Sequence, residues 1–205
     1  MLLHTELKEQ GYRLFLASQS PRRQQLITDA GFEFETIKYE VDESFSNDTP
    51  SEEVPLYLAQ LKSDNFPFDL GQHDIVITAD TVVISRGEIL VKPTSESDAR
   101  EMLRRLSGEE HQVTTGVYLR SGSMQRGFST HTKVWFRELT DDEIDYYVTH
   151  YSPLDKAGSY GIQEWIGYIG VERIEGSFYN VMGLPIQQLY CELRDMIGMI
   201  SKRNV

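Results

Sequence analysis

The sequence predicts an α/β fold. Two observations carry this. Apolar runs of strand length alternate with amphipathic helical patterns from one end of the chain to the other. No repeat, low-complexity tract or linker interrupts that alternation, so residues 1–205 are expected to form one domain. At 205 residues, 40% hydrophobic and 25% charged, the chain is long and apolar enough to bury a sizeable core.

The elements follow in order. Arg13–Ala17 is a short apolar strand. Ser20 and Pro21 then mark a helix start, Ser as cap and Pro in the first turn, and Gly31 stops that helix just beyond Asp29. Phe32–Ile37 alternates as a half-buried strand does. An acidic loop over Glu40–Asp48 leads to a helix between Ser51 and Phe66, with Pro55 near its start. Asp74–Ala79 reads as a buried strand that continues through Val82–Ile84, and Ser85–Glu88 turns the chain into Ile89–Val91. Ser95 caps the next helix, whose Ala99, Met102, Leu103 and Leu106 share one face before Gly108 ends it. Strands over His111–Arg120 and Phe128–Leu139 follow, then a short helix capped by Thr140. Tyr151–Gly183 is a Gly-rich stretch, and Pro185 opens a terminal helix with Leu189, Leu193, Met196 and Ile197 on its apolar face.

Composition excludes several functions. Twenty Lys and Arg against thirty-two Asp and Glu leave a net charge of −12. A chain this acidic gains nothing from counterion release on a polyphosphate backbone, so no stable nucleic-acid partner is expected. No apolar run approaches the ~20 residues of a membrane span. The first ten residues lack the basic start and apolar run of a signal peptide. The single cysteine, Cys191, cannot form an internal disulfide and is expected as a small core residue. A cytoplasmic location follows as the expectation.

Three segments concentrate chemistry. Ser18-Gln19-Ser20-Pro21-Arg22-Arg23 lies where a strand gives way to a helix. Free N–H groups and the positive helix end favour an anion there, and two Arg in a first turn are otherwise unfavourable. Taken alone, the pair is equally consistent with solvated partners of the abundant carboxylates. In Ile77-Thr78-Ala79-Asp80-Thr81-Val82-Val83 a carboxylate interrupts an apolar strand, and that is costly unless the carboxylate is paired or bound. Asp80 could cap a strand end, but the link between buried carboxylates and sites favours a functional role. The third segment, Ser152–Gln163, combines glycines with Lys156 and Gln163 and reads by itself as an ordinary loop. Lys62 and Lys92 read most simply as surface lysines. The five histidines show no metal-ligand spacing, and no Ser-His-Asp arrangement or Walker loop is apparent.

In order along the chain, Ala17-Ser18-Gln19-Ser20-Pro21-Arg22-Arg23, Ala79-Asp80-Thr81-Val82-Val83, Asp155–Gln163 and Ile174–Pro185 resemble the Maf family of nucleoside triphosphate pyrophosphatases. Each block is weakly specific, but the ordered set is strong and covers nearly the whole chain. The resemblance implies a mixed sheet flanked by helices around a central cleft, of the Maf and inosine-triphosphatase kind. It implies hydrolysis of a nucleoside triphosphate between the α and β phosphates, with a divalent metal, Mg²⁺ or Mn²⁺. Asp80 matches the proton acceptor, and Glu43, with Asp80, an acidic metal-binding position. Ser18, Arg22, Arg23, Lys62, Lys92 and Lys156 match substrate-binding positions. Arg22, Thr81 and Gln163 together resemble the branch acting on dTTP and UTP. The amide of Gln163 offers a donor and an acceptor that complement the carbonyl and N3–H edge of uracil or thymine. A homodimer is also implied. Glu164-Trp165 departs from the Gly and small residue that many relatives carry, and Trp165 is expected to pack. The alternative is a nucleotide-binding regulator of cell division without significant turnover.

Overall fold

Twelve consecutive residues, Asp74–Ser85, form the long strand on which the molecule is organised. The computed structural model describes residues 1–46 and 48–203, so Asn47 of the acidic loop lies outside the described residues. The strands are β1 (Arg13–Leu16), β2 (Glu35–Thr36), β3 (Asp74–Ser85), β4 (Glu88–Leu90), β5 (Glu110–Arg120), β6 (Gln125–Phe136) and β7 (Val171–Glu175). The helices are α1 (Leu3–Glu9), α2 (Pro21–Asp29), α3 (Val54–Asp64), α4 (Glu96–Leu106), α5 (Asp141–Tyr151), α6 (Trp165–Gly170), α7 (Phe178–Val181) and α8 (Ile186–Arg203). The strands make one mixed sheet in the order β2-β1-β3-β5-β6-β7, with β4 paired to β3. β1 is parallel to β2 and β3, while the pairs of β3, β5, β6 and β7 are antiparallel. The expected mixed sheet flanked by helices is present. No helix among the described residues is long and apolar enough to cross a membrane.

Alternation along β3 assigns its two faces. Val82 and Ile84 pack with Val54 and Leu58 of α3, and Thr78 Oγ1 donates to the Ala59 carbonyl at 2.6 Å. The even-numbered positions therefore face α3. On the other face, Ile75, Ile77 and Ala79 join a core built with α1, α2 and α8, whereas Val83 joins a second core built with α4, α5 and α6. β5 divides in the same way, with Val117 and Leu119 in the first core and Val113 in the second. Between them stand Thr81 and Thr115, paired across the strands and joined by an Oγ1–Oγ1 hydrogen bond of 2.9 Å. A polar seam thus separates two apolar cores on a single sheet.

β3 is also unpaired in the middle of one edge. β1 pairs with it from Asp74 to Ile77, and β4 from Val83 to Ser85. Residues 78–82 face the gap between those two strands, and this is the stretch that holds Asp80.

Several boundaries differ from the sequence reading. The strand expected over Phe32–Ile37 is two residues long, because Phe32 turns into the first core instead of extending the ladder. The strand expected to begin at Phe128 starts at Gln125 and ends at Phe136, since its antiparallel pairing with β5 runs through to the turn. Ser20 sits at the α2 cap without a side-chain hydrogen bond. α1 was unmarked in the sequence, its buried contact being the one-turn pair Leu3 and Leu7. The Gly-rich stretch Tyr151–Gly183, to which the sequence reading gave no elements, holds α6, β7 and α7 beyond the Ser152–Gln163 segment. Cys191 is half-buried rather than a core residue, because α8 turns Leu189, Leu193, Met196 and Ile197 inward as expected and leaves Cys191 on its flank.

Candidate active site

The end of β1, the start of α2, the middle of β3 and the Asp155–Gln163 segment converge on a cleft of about 510 Å³, the size of a small-molecule site. Ser18, Arg22, Arg23, Glu43, Lys62, Asp80, Thr81, Lys92, Lys156 and Gln163 all line it. The structure therefore brings together every residue singled out from the sequence.

Asp80 is placed by backbone packing. Its partner across the β3–β5 ladder is Gly116, and a Cβ on Gly116 would collide with the backbone of Pro55 and Leu56. The missing side chain lets the first turn of α3 lie directly on the sheet. Six residues along, ~9 Å of helix, Lys62 reaches over the strand. Its Nζ lies 2.7 Å from Asp80 Oδ1 and 3.1 Å from Glu43 Oε2. Two carbonyls at the α3 C-terminus are tied down as well. Tyr39 Oη donates to the Lys62 carbonyl at 2.5 Å, and the Arg120 guanidinium donates to the Ser63 carbonyl and, at 3.1 Å, to its hydroxyl. Burial pushes the Tyr39 phenol up to about 12, against the opposing field of Arg120, so it stays a donor.

Arg23 occupies the seam. Its Nε donates to the Gly183 carbonyl at 2.7 Å. Nη1 donates to the Ala79 carbonyl at 2.8 Å and the Ser18 hydroxyl at 3.4 Å, and Nη2 to Thr81 Oγ1 at 3.0 Å. Four of its five N–H groups are therefore committed within the protein. Desolvation lowers its pKa, with the Asp80 charge opposing and Arg22 adding to the fall. The Ala79 carbonyl is available because that edge of β3 has no partner strand among the described residues. Arg22 instead points across the cleft, with Nη1 3.1 Å from Asp155 Oδ2.

The opposite wall is a chain of charges. Lys156 Nζ lies 2.7 Å from Asp155 Oδ1 and 3.3 Å from Glu164 Oε1. Burial alone would raise the Asp155 pKa, but hydrogen bonds from Lys156 and Arg22 outweigh it and the net shift is downward. Lys92 is exposed at the cleft edge after β4. Gln163 Oε1 is buried in the cleft wall with no hydrogen-bond partner among the described residues. A buried acceptor left unpaired is costly, and nothing among the described residues offsets that cost here. Trp165 packs half-buried against Tyr146, ring centroids 4.8 Å apart, as expected.

Sequence reasoning missed the residues that hold these groups. Thr115 Oγ1 donates to the Asn180 carbonyl at 3.1 Å, and Asn180 Nδ2 donates to the Val113 carbonyl and Thr132 Oγ1, each at 3.0 Å. Gly116, Asp155 and Gly183 were likewise not separated from their surroundings, and Glu164 was marked only as a departure from relatives, with no contact assigned to it. The signal for Asp155 was present, adjacent to Lys156, but its reach to Arg22 spans 133 residues.

Glu43 and Asp80 both set an oxygen on one cationic point, the Lys62 ammonium. Two converging hard oxygens suit Mg²⁺ or Mn²⁺ when a substrate supplies phosphate oxygens as well. No group of three or more His, Cys, Asp or Glu that could hold a metal occurs among the described residues.

Comparison with known proteins gives this chain a family and relatives. The family model described as Maf-like protein matches residues 13–196. The dTTP/UTP pyrophosphatase of Bacteroides fragilis is 50% identical over 187 residues, covering 90% of this chain and 96% of that protein. The dTTP/UTP pyrophosphatase of Porphyromonas gingivalis is 50% identical over 187 residues, covering 90% and 94%. That of Cytophaga hutchinsonii is 43% identical over 185 residues, covering 90% and 84%.

Proposed function

We propose, given that this chain belongs to the Maf-like protein family, that it is a pyrophosphatase hydrolysing dTTP and UTP to the monophosphate and pyrophosphate. The observation that carries this reading is one cleft in a −12 chain into which Arg22, Lys62, Lys92 and Lys156 are gathered around Asp80. So many cations in an acidic protein suit a ligand as anionic as a triphosphate. The relatives' printed names supply the substrate class.

Asp80 accepts the proton of the attacking water. The water oxygen forms its bond to phosphorus as the α,β-bridging P–O bond breaks, and pyrophosphate leaves. Arg22, Lys92 and Lys156 hold the phosphate oxygens, and their fixed charge offsets the negative charge that develops on the leaving group. Lys62 orients Asp80 through their 2.7 Å contact. Ser18 and Arg23 shape the turn under the phosphates, with one N–H of Arg23 left for substrate. Glu43 and Asp80 would hold the divalent metal, which supplies charge neutralisation at the phosphates. Gln163 reads the base, its Oε1 accepting N3–H and its Nε2 donating to a ring carbonyl, beside Thr81 at the seam.

A regulator that only senses nucleotide has no use for a carboxylate placed to take a proton. The test is release of pyrophosphate from dTTP, UTP, CTP and GTP with Mg²⁺ or Mn²⁺. Turnover of dTTP and UTP above the others is expected, and absence of pyrophosphate from all four would overturn the reading.

A further inference from the structure

We infer that Tyr147 and Glu164 form a clamp behind Gln163 that sets base discrimination, an inference resting on the base-reading role proposed above for Gln163. The Gln163 amide has no hydrogen bond of its own among the described residues, so its direction is fixed by the turn that carries it. That turn is closed by Glu164 N–H donating to the Gly161 carbonyl at 2.9 Å. It is fastened to α5 through one buried phenol. Tyr147 Oη accepts from Gly161 N–H at 3.0 Å and donates to Glu164 Oε2. The other oxygen of Glu164 faces Lys156 Nζ at 3.3 Å. One carboxylate therefore joins the base-reading turn both to the helix behind it and to a lysine of the phosphate end.

The packing is close enough for a loss here to reach Gln163. Tyr147 is fully buried. Gly161 has no Cβ, and one built there would lie 2.9 Å from Gln163 Nε2 and 2.8 Å from Glu164 Cδ. Both side chains fold back over the glycine, so the amide and the carboxylate share one surface. Burial, with Glu164 adding to it, raises the Tyr147 pKa, so the phenol remains the donor that this arrangement needs. Tyr147 and Glu164 touch no base in this arrangement. They are positioning residues.

The test compares the kcat/KM ratio for UTP over CTP in wild type, Tyr147→Phe, Glu164→Ala and Glu164→Gln. Tyr147→Phe leaves the Gly161 N–H without its acceptor and frees Glu164, and Glu164→Ala removes the clamp's far end. Each is expected to lower the ratio about ten-fold. Glu164→Gln keeps an acceptor for Tyr147 Oη and should stay within about two-fold of wild type in that ratio, even where the weaker hold on Lys156 raises KM for both substrates. In a Gln163→Ala background, Tyr147→Phe should not lower the ratio further, a result that general loosening of the fold would not give. If Tyr147→Phe and Glu164→Ala melt cooperatively and retain the wild-type ratio, the clamp is wrong. A further drop in the Gln163→Ala background also overturns it. A wild-type ratio near one is a different failure, since it overturns base reading by Gln163 itself.

Discussion

Lys62 Nζ and Asp80 Oδ1 stand 2.7 Å apart across the junction of α3 and β3, each side chain 15% exposed. Glu43, the second carboxylate on that ammonium, is about half exposed, so the Lys62–Asp80 pair is the fixed part of the contact. Asp80→Asn keeps the volume and a hydrogen-bond acceptor for Lys62 but removes the base. Turnover of dTTP is expected to fall by about 10²–10⁴-fold, with nucleotide binding retained in an equilibrium titration. Near-wild-type turnover at saturating substrate would remove Asp80 from the chemistry.

Gly116→Ala tests how that pair is assembled. The new methyl group meets backbone of Pro55 and Leu56, which cannot rotate away as a side chain could. α3 must shift and carry Lys62 with it. A destabilisation of about 1–3 kcal/mol in urea unfolding is expected, with a fall in kcat that exceeds any change in the dTTP/CTP preference.

Arg23 is bound to four acceptors within the protein and is proposed to bear on substrate as well. Arg23→Ala leaves the Ala79 carbonyl without its donor and the Gly183 carbonyl with only the Thr81 hydroxyl at 3.4 Å. A loss of about 2–3 kcal/mol of stability is expected beside a drop of about one to three orders of magnitude in kcat/KM. Lys should restore little, since a point charge cannot reach four acceptors at once. Unchanged stability and kinetics would place both carbonyls and phosphates in other hands.

Gln163→Glu replaces the amide donor with a charge beside the triphosphate. Activity on dTTP and UTP should fall about ten- to a hundred-fold, the cost of an unpaired base carbonyl. Rates on dTTP, UTP, CTP and GTP measured side by side check this. A retained order and rate would separate Gln163 from base recognition.

His111 gives a pH dependence. It is buried, its Nε2 is 2.7 Å from Tyr160 Oη, and desolvation lowers its pKa from 6.5 to about 3. The unfolded chain takes up this proton near pH 6.5 and the folded chain does not until about pH 3. Stability is therefore full above pH 6.5 and falls as pH drops towards 3, by at most about 1.4 kcal/mol per pH unit from this group. His111→Gln, which can still bond Tyr160, should flatten the fall in Tm between pH 7 and pH 5 relative to wild type. Parallel curves would show that other groups set the acid limb.

The sequence made β3, α4, α5 and α8 legible because each carries a long period or a cap of its own. Ser95 and Thr140 do accept from the backbone N–H groups three residues on. The site residues were found through ordered motif blocks, and local patterning would have left Lys62 and Lys92 as surface lysines. What stayed hidden depends on pairs distant in the chain. Lys62 lies 18 residues from Asp80 and Arg23 160 from Gly183, and nothing in the flanking residues encodes such an encounter. Gly116 was hidden because its role is to lack a side chain opposite another element's backbone, and a single sequence carries no mark of that. Tyr147 carried no mark in the sequence, and its hydroxyl acquires a task only when Gly161 and Glu164 come against it.

The two cores that flank the Thr81–Thr115 seam have a mechanical consequence. They stand on one leaf of backbone, because β3 and β5 pair without a break from Val76–Arg120 to Ile84–Gln112, directly beneath the cleft. Two lobes on a flexible tether can swing shut on a guest, but two lobes on a shared twisted plate can approach only by flexing the plate. The opening that a nucleotide meets is then cast when the chain folds. Selectivity in such a vessel falls to the fit of its walls.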